Sequence, residues 1–167
     1  MARPRLVERS SQNYAECAQF CESELSRLAT MYKDETSEMK RRLIRDSIDH
    51  HIRRYQGYSI KGNFGSHYTV VGVTGSTIFE HVIPASTARD MVLDGSFTPA
   101  QALNIPTCTI SKLDDDILRR AGMVSSTPDT RYFFKRYSVL NIQIQTHTGT
   151  NIDPSTWTLE DHFALFK

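Results

Sequence analysis

The chain has 167 residues, of which 39% are hydrophobic and 23% charged, a balance that suits one globular body with an apolar core and not a disordered or fibrous chain. The formal net charge is only +1, so attraction to nucleic acid must come from the local placement of Lys and Arg and not from their total. Cys17, Cys21 and Cys108 are odd in number, which fits free thiols in a reducing compartment; with no signal-like start and no apolar run of about 18 residues, a cytoplasmic protein without a membrane segment is expected.

Between Ser10 and Tyr32 the residues Tyr14, Cys17, Cys21, Leu25, Leu28 and Tyr32 recur every three or four positions, which predicts an amphipathic helix. Met39, Leu43, Ile44, Ile48, Ile52 and Tyr55 repeat the pattern after the polar break 33–36, with Thr36 or Ser37 as N-cap, so residues 10–56 should form an antiparallel helical hairpin. The glycines and Asn between Gly57 and Gly65 break that pattern. The β-rich runs 68–73 and 77–83 then flank Thr74-Gly75-Ser76, as a hairpin or as two neighbouring strands. Pro84 cannot donate to a sheet ladder and should end the second run. A helix from Ala85 to Leu93 should stop at Gly95, and Thr98-Pro99 should open a short helix through Leu103. Thr107 to Ser111 reads as a strand, and the helix from Leu113 has acids in its first turn, Arg in its last and Gly122 as its stop. A helix over 129–137, a strand over 140–145, a turn at Gly149 and a terminal helix opened by Thr158 complete the α+β reading.

The concentrated candidate for chemistry is Glu80-His81-Val82-Ile83-Pro84. A neutral imidazole can take a proton from water near pH 7, and a neighbouring carboxylate can ligate a divalent cation; phosphodiester hydrolysis needs both. Neighbours on a strand point to opposite faces, so the two can share one site only if a bulge or the Pro84 turn interrupts the pleat. Asp114, Asp115 and Asp116 supply further oxygen donors, although acids in a first turn also stabilise a helix with no ligand at all. Cys17 and Cys21 lie on the apolar stripe with no second pair at zinc-site spacing, and Asp49-His50-His51 and Asp161-His162 read as solvated helix positions, so zinc is not expected and oxygen and imidazole ligands would suit Mg or Mn. Lys40-Arg41-Arg42, Arg45 and Arg53-Arg54 are interspersed with acids, whereas Arg131, Lys135 and Arg136 stand beside Tyr132 and Tyr137 and make the better phosphate-binding stretch.

The order of a strand-ending acid-His pair, a second strand and an acidic helix resembles the HNH, or His-Me finger, nucleases. More closely, Glu80-His-Val-Ile-Pro, then Cys108-Thr-Ile-Ser-Lys, Phe134-Lys-Arg-Tyr and Thr156-Trp-Thr-Leu-Glu-Asp-His-Phe look like small bacteriophage proteins assigned to that group, over roughly residues 78–166. The resemblance implies a ββα-metal-like core over 57–122 with a helical insertion, preceded by the hairpin and followed by a helix-strand-helix cap over 123–167, within a single domain 1–167. It implies His81 as general base with Asn104 as the family's middle Asn, and Glu80 with Asp115 or Asp116 holding Mg or Mn. Lys112, Arg131, Lys135 and Arg136 would contact DNA. A metal-dependent endonuclease in a bacterial host cytoplasm, with a homodimer as the candidate assembly, is therefore the expected activity. A non-catalytic phage accessory or interaction protein on the same scaffold is the alternative.

Overall fold

The structure is a computed structural model that describes residues 11–59 and 66–166. It is an α+β protein, and its chain divides into two compact units. The first takes the N-terminal helices and residues 85–104, and the second takes residues 66–84 and 105 onward.

The first unit is helical. Helix α1 (Ser11–Asp34) and helix α2 (Glu38–Ser59) pack along each other, joined by a three-residue turn in which the Ser37 carbonyl accepts the first helical bond, from the Arg41 amide at 2.9 Å. Cys21, Leu25, Leu28, Ile44, Ile48 and Ile52 are buried as the spacing predicts; each fully buried aliphatic side chain stabilises by about 1.5 to 3 kcal/mol relative to exposure. Met39 and Leu43 depart from the expectation and stay 66% and 59% exposed. Leu43 precedes buried Ile44 by about 100° of helix rotation, so only one of the two can face inward. The side chain of Tyr14 lies outside the described residues, as does most of the expected glycine break, since α2 continues to Ser59.

Helix α3 (Ala85–Asp94) ends at Gly95, whose φ of +87° favours glycine. Helix α4 (Pro99–Leu103) opens on a complete capping box between Thr98 and Gln101. Both pack on α1 and α2. The insertion expected to decorate the ββα core thus completes the helical unit instead, and it buries Ala88, Val92, Ala102 and Leu103.

The second unit is a five-stranded mixed sheet in the order β2-β3-β1-β4-β5, with β1 Tyr68–Val70, β2 Thr77–His81, β3 Thr107–Ser111, β4 Ile144–Thr146 and β5 Asn151–Ile152. β1 and β2 are neither a hairpin nor neighbours, because β3 lies between them, parallel to β1 and antiparallel to β2. Local turn signals at 72–76 suggest a hairpin, but β3 is buried along most of its length while β2 keeps Thr77 exposed. The more apolar strand takes the interior place.

Helix α5 (Lys112–Arg120) follows β3 directly through a capping box of Ser111 and Asp114, and Gly122 at φ +72° lies two residues beyond it. Residues 133–137 form a 3₁₀ helix in place of the expected α-helix over 129–137. Phe133, Phe134, Arg136 and Tyr137 are all buried and only Lys135 is exposed, so the buried side chains do not fall on a single helical stripe. Helix α6 (Leu159–Leu165) starts at a capping box of Thr158 and Asp161. No helix among the described residues is long and apolar enough to cross a membrane.

Candidate functional site

The ββα order read from the sequence exists in space. β2 and β3 pair antiparallel from Thr77↔Ser111 to His81↔Thr107, and α5 packs back on both strands. The pairing is continuous through Glu80↔Cys108 and His81↔Thr107, so no bulge turns the acid and the imidazole to one side. Their surroundings differ accordingly. The His81 ring lies edge-on to Phe79 at 5.6 Å, two residues back on the same face, while Glu80 points to the face of buried Cys108.

Glu80 sits in a nearly closed polar knot. Its Oε2 accepts from Arg136 Nη2 at 3.0 Å, and its Oε1 accepts a short hydrogen bond from the Tyr137 hydroxyl. The side chains of Glu80 and Arg136 are only 10% and 1% exposed. Burial pushes the Glu80 carboxyl above the ordinary range, and the Arg136 charge and the Tyr137 hydroxyl pull it back only in part. Burial, with Cys108 and Glu80 nearby, holds the Tyr137 phenol well above its usual value, so it remains a donor. Arg136 also donates to the carbonyls of His81 at 3.0 Å, Val82 at 3.1 Å and Val124 at 3.1 Å. One guanidinium thereby joins the end of β2 to the segment after α5.

The remaining candidates fall into three places. Asp115, in the first turn of α5, is buried and accepts from Arg119 one turn on at 3.0 Å, Asp114 is spent on the capping box, and Asp116 is partly exposed. Asn104 is the C-cap of α4 in the helical unit, and its side-chain amide donates to the Ala100 carbonyl at 3.1 Å; it therefore belongs to the other unit from Glu80 and His81. Among the described residues, no group of three or more His, Cys, Asp and Glu side chains is placed to hold a metal ion.

The phosphate-contact candidates also separate. Arg136 is inside, contrary to its expected surface role, because four acceptors in the fold use its donors. Lys135 is exposed but lies 2.8 Å from Asp129, and Arg131 is exposed 3.5 Å from Glu160. Tyr132 lies beneath both cations, with its ring centroid 4.8 Å from Lys135 Nζ and 5.6 Å from the Arg131 guanidinium carbon. Lys112 is exposed at the first position of α5. The stretch that looked least neutralised in sequence is the one whose cations are either buried or matched by an acid, from within the stretch for Lys135 and from α6 for Arg131.

No protein-family model matches this chain, and no match was found among curated proteins or solved structures.

A second buried polar cluster was not foreseen in the sequence, where His162 reads as a solvated helix position but is fully buried in the structure. His67 and His162 are 2% and 0% exposed, with ring centroids 4.7 Å apart and edge-on. The Trp157 indole nitrogen and His162 Nδ1 each lie 2.9 Å from the Tyr68 hydroxyl. His67 Nδ1 lies 2.9 Å from the Thr107 hydroxyl and accepts from the Thr107 amide at 3.2 Å. The members are up to 95 positions apart in the chain, and no spacing rule links them. The one usable signal was the capping box at Thr158, which fixes the phase of α6 and hence the inward side of His162.

Proposed function

We propose that the protein acts by binding and not by hydrolysis, as a non-catalytic interaction protein in which the ββα unit is a scaffold. The engagement of Glu80 carries this reading. A buried carboxylate that already accepts from a guanidinium and a phenol would have to abandon Arg136 to ligate a cation, and an uncompensated buried charge costs about 3 to 5 kcal/mol. His81, on the opposite face of an unbroken pleat, does not share a site with it. A protein partner is favoured by the exposed apolar side chains Phe20, Met31, Met39 and Leu43 on α1 and α2, with Arg42, Arg53 and Arg54 exposed on α2. Interfaces use aromatic, Met and Arg side chains in this combination.

The ββα order itself favours a second reading, a Mg- or Mn-dependent DNA endonuclease. In it His81 is the base, Glu80 with Asp115 or Asp116 holds the ion, and Lys112, Arg131 and Lys135 meet the backbone. Calorimetric titration with manganese and a plasmid-nicking assay separate the two. Binding by scaffold predicts no manganese response that Glu80→Gln removes and no nicking that His81→Ala abolishes. It also predicts that Glu80→Gln lowers the melting temperature equally with and without the ion. Nicking that depends on both residues would establish the nuclease and end the binding proposal.

A further inference from the structure

The helical unit leaves its large apolar side chains outside in one pattern. Among the described residues, those it exposes are Phe20 and Met31 of α1 and Met39 and Leu43 of α2. With about 100° of rotation per residue, Phe20, Glu24, Arg27 and Met31 fall on a single stripe of α1. Met39, Leu43, Asp46 and His50 repeat that spacing on α2. Arg27 ties its own stripe together, donating to Glu24 at 2.7 Å and reaching the Met31 sulfur at 2.8 Å. Neither stripe is the buried one, which is Cys21, Leu25 and Leu28 on α1 and Ile44, Ile48 and Ile52 on α2. The two exposed stripes open on a common side of the hairpin. Phe20 and His50 line the same recess of about 280 Å³ with Cys17, His51 and Arg54, and the Phe20 ring lies edge-on to His51 at 6.1 Å.

The two helices differ in charge. α1 carries Glu16, Glu22, Glu24 and Asp34 against Arg27 and Lys33, whereas α2 carries six cations against three acids. Among the described residues, Arg42 and Arg54 of α2 are exposed cations outside every ion pair.

We propose that this face is a dimer interface, on which a second copy of the chain lays the same two stripes to close a four-helix bundle. The proposal rests on the reading of the α1–α2 surface as protein-binding, and it names the chain itself as the partner. A two-fold interface buries each exposed apolar side chain twice, and aromatic, Met and Leu side chains suit its core. Charge selects the arrangement. With the two-fold axis parallel to the helices, acidic α1 of one copy lies over basic α2 of the other; with the axis across them, each helix would lie over its like-charged counterpart. The first arrangement keeps the register found inside one protomer, where Phe20 meets His51 and the Tyr32 ring meets Arg41 at 4.3 Å. Phe20 then enters the recess of the second copy, and Met31 lies between Met39 and Leu43 of that copy. Glu16 comes level with its Arg54, and Arg27 with its Asp46.

Sedimentation velocity of the full chain over a concentration series tests the assembly. The wild type should sediment as a dimer. Leu43→Glu should give a folded monomer, raising the dissociation constant about a hundredfold or more because the change falls twice in the interface. Leu43 is exposed in the single chain, so the far-ultraviolet helical signal should be unchanged; Met39→Glu takes its place should that variant fail to fold. A wild type that stays monomeric overturns the proposal, and so does a dimer that the folded variant leaves intact. The crossed arrangement is tested by exchanging charge. Glu16→Arg and Arg54→Glu each set like charges together in a homodimer, and mixing the two variants restores both opposite-charge contacts. The mixture should dimerise more tightly than either variant alone, and a mixture no tighter than its components overturns the placing of α1 on α2. The two readings fail separately. A monomeric wild type without manganese response removes the second copy as partner and leaves binding to another protein. A dimer that nicks plasmid through His81 supports the interface and ends the non-catalytic reading.

Discussion

The sheet unit buries two polar clusters and keeps them whole by opposite means. Glu80, Arg136 and Tyr137 form an ionic knot, in which a charged pair is compensated by mutual contact and by three backbone carbonyls. His67, Tyr68, Trp157 and His162 form one without an ion pair among its hydrogen bonds, held by the Trp157 N–H on the Tyr68 hydroxyl, the Tyr68–His162 contact and the Thr107 amide on His67 Nδ1. The difference teaches where each is vulnerable. The ionic knot fails when a partner is removed, because the remaining charge is stranded. The neutral cluster tolerates small losses and fails when a charge arrives.

The strongest way to break the comparison is Arg136→Met, which leaves Glu80 buried without its cation and takes the guanidinium donors from three carbonyls, of which Val82 keeps the Thr127 hydroxyl. The expected loss is about 3 to 5 kcal/mol by urea denaturation, and much of it should return when Glu80→Met is added, since the pair is then replaced by apolar volume. A loss below about 1 kcal/mol would place the pair among surface-like ion pairs and refute the knot.

Tyr68→Phe attacks the neutral cluster by the same method. It strands the Trp157 N–H but no charge, so about 1 to 3 kcal/mol is expected in the same assay; a cost equal to that of Arg136→Met would erase the distinction between the clusters.

The pH dependence sharpens it further. His67 is held below its unfolded value near 6.5, so the folded state binds fewer protons than the unfolded one beneath that pH. Its contribution is complete above about pH 6.5 and is lost as pH falls, at up to about 1.4 kcal/mol per unit. His67→Gln should flatten that slope in denaturation curves measured between pH 5 and 7.

The smallest expected effect is Thr98→Ala at the capping box of α4 in the helical unit. It should cost about 1 kcal/mol and leave the pH slope unchanged. A change in slope would show that the acid response is not confined to the sheet unit.

Local signals predicted local outcomes well. Most of the stripes of α1 and α2, the strand 107–111, the helix starts at Thr98 and Thr158 and the stops at Gly95 and Gly122 are where spacing and turn chemistry put them. Each depends on residues within about four positions of one another. The errors arise where two segments compete. β1 and β2 look like hairpin partners until β3 is available, and residues 129–137 look helical until both phenylalanines must be buried. The candidate site was found as an address and misread as an environment. Glu80 and His81 do end a strand before an acidic helix, but nothing near them in sequence announces Arg136, 56 positions from Glu80.

The sequence by itself determined the α+β class, the helical pair, the places of β1, β2 and β3 and the ββα order, because periodicity and capping act within a turn or two of the chain, while β4 begins later than the expected strand over 140–145 and β5 was not expected. Only the tertiary structure decided which strand lies at the centre, that residues 85–104 join the helices, and whether each polar side chain meets solvent or a partner. Those outcomes depend on groups 40 to 94 residues apart coming within hydrogen-bond reach. A buried charge or imidazole has the chemistry of whatever reaches it, and no local pattern encodes that.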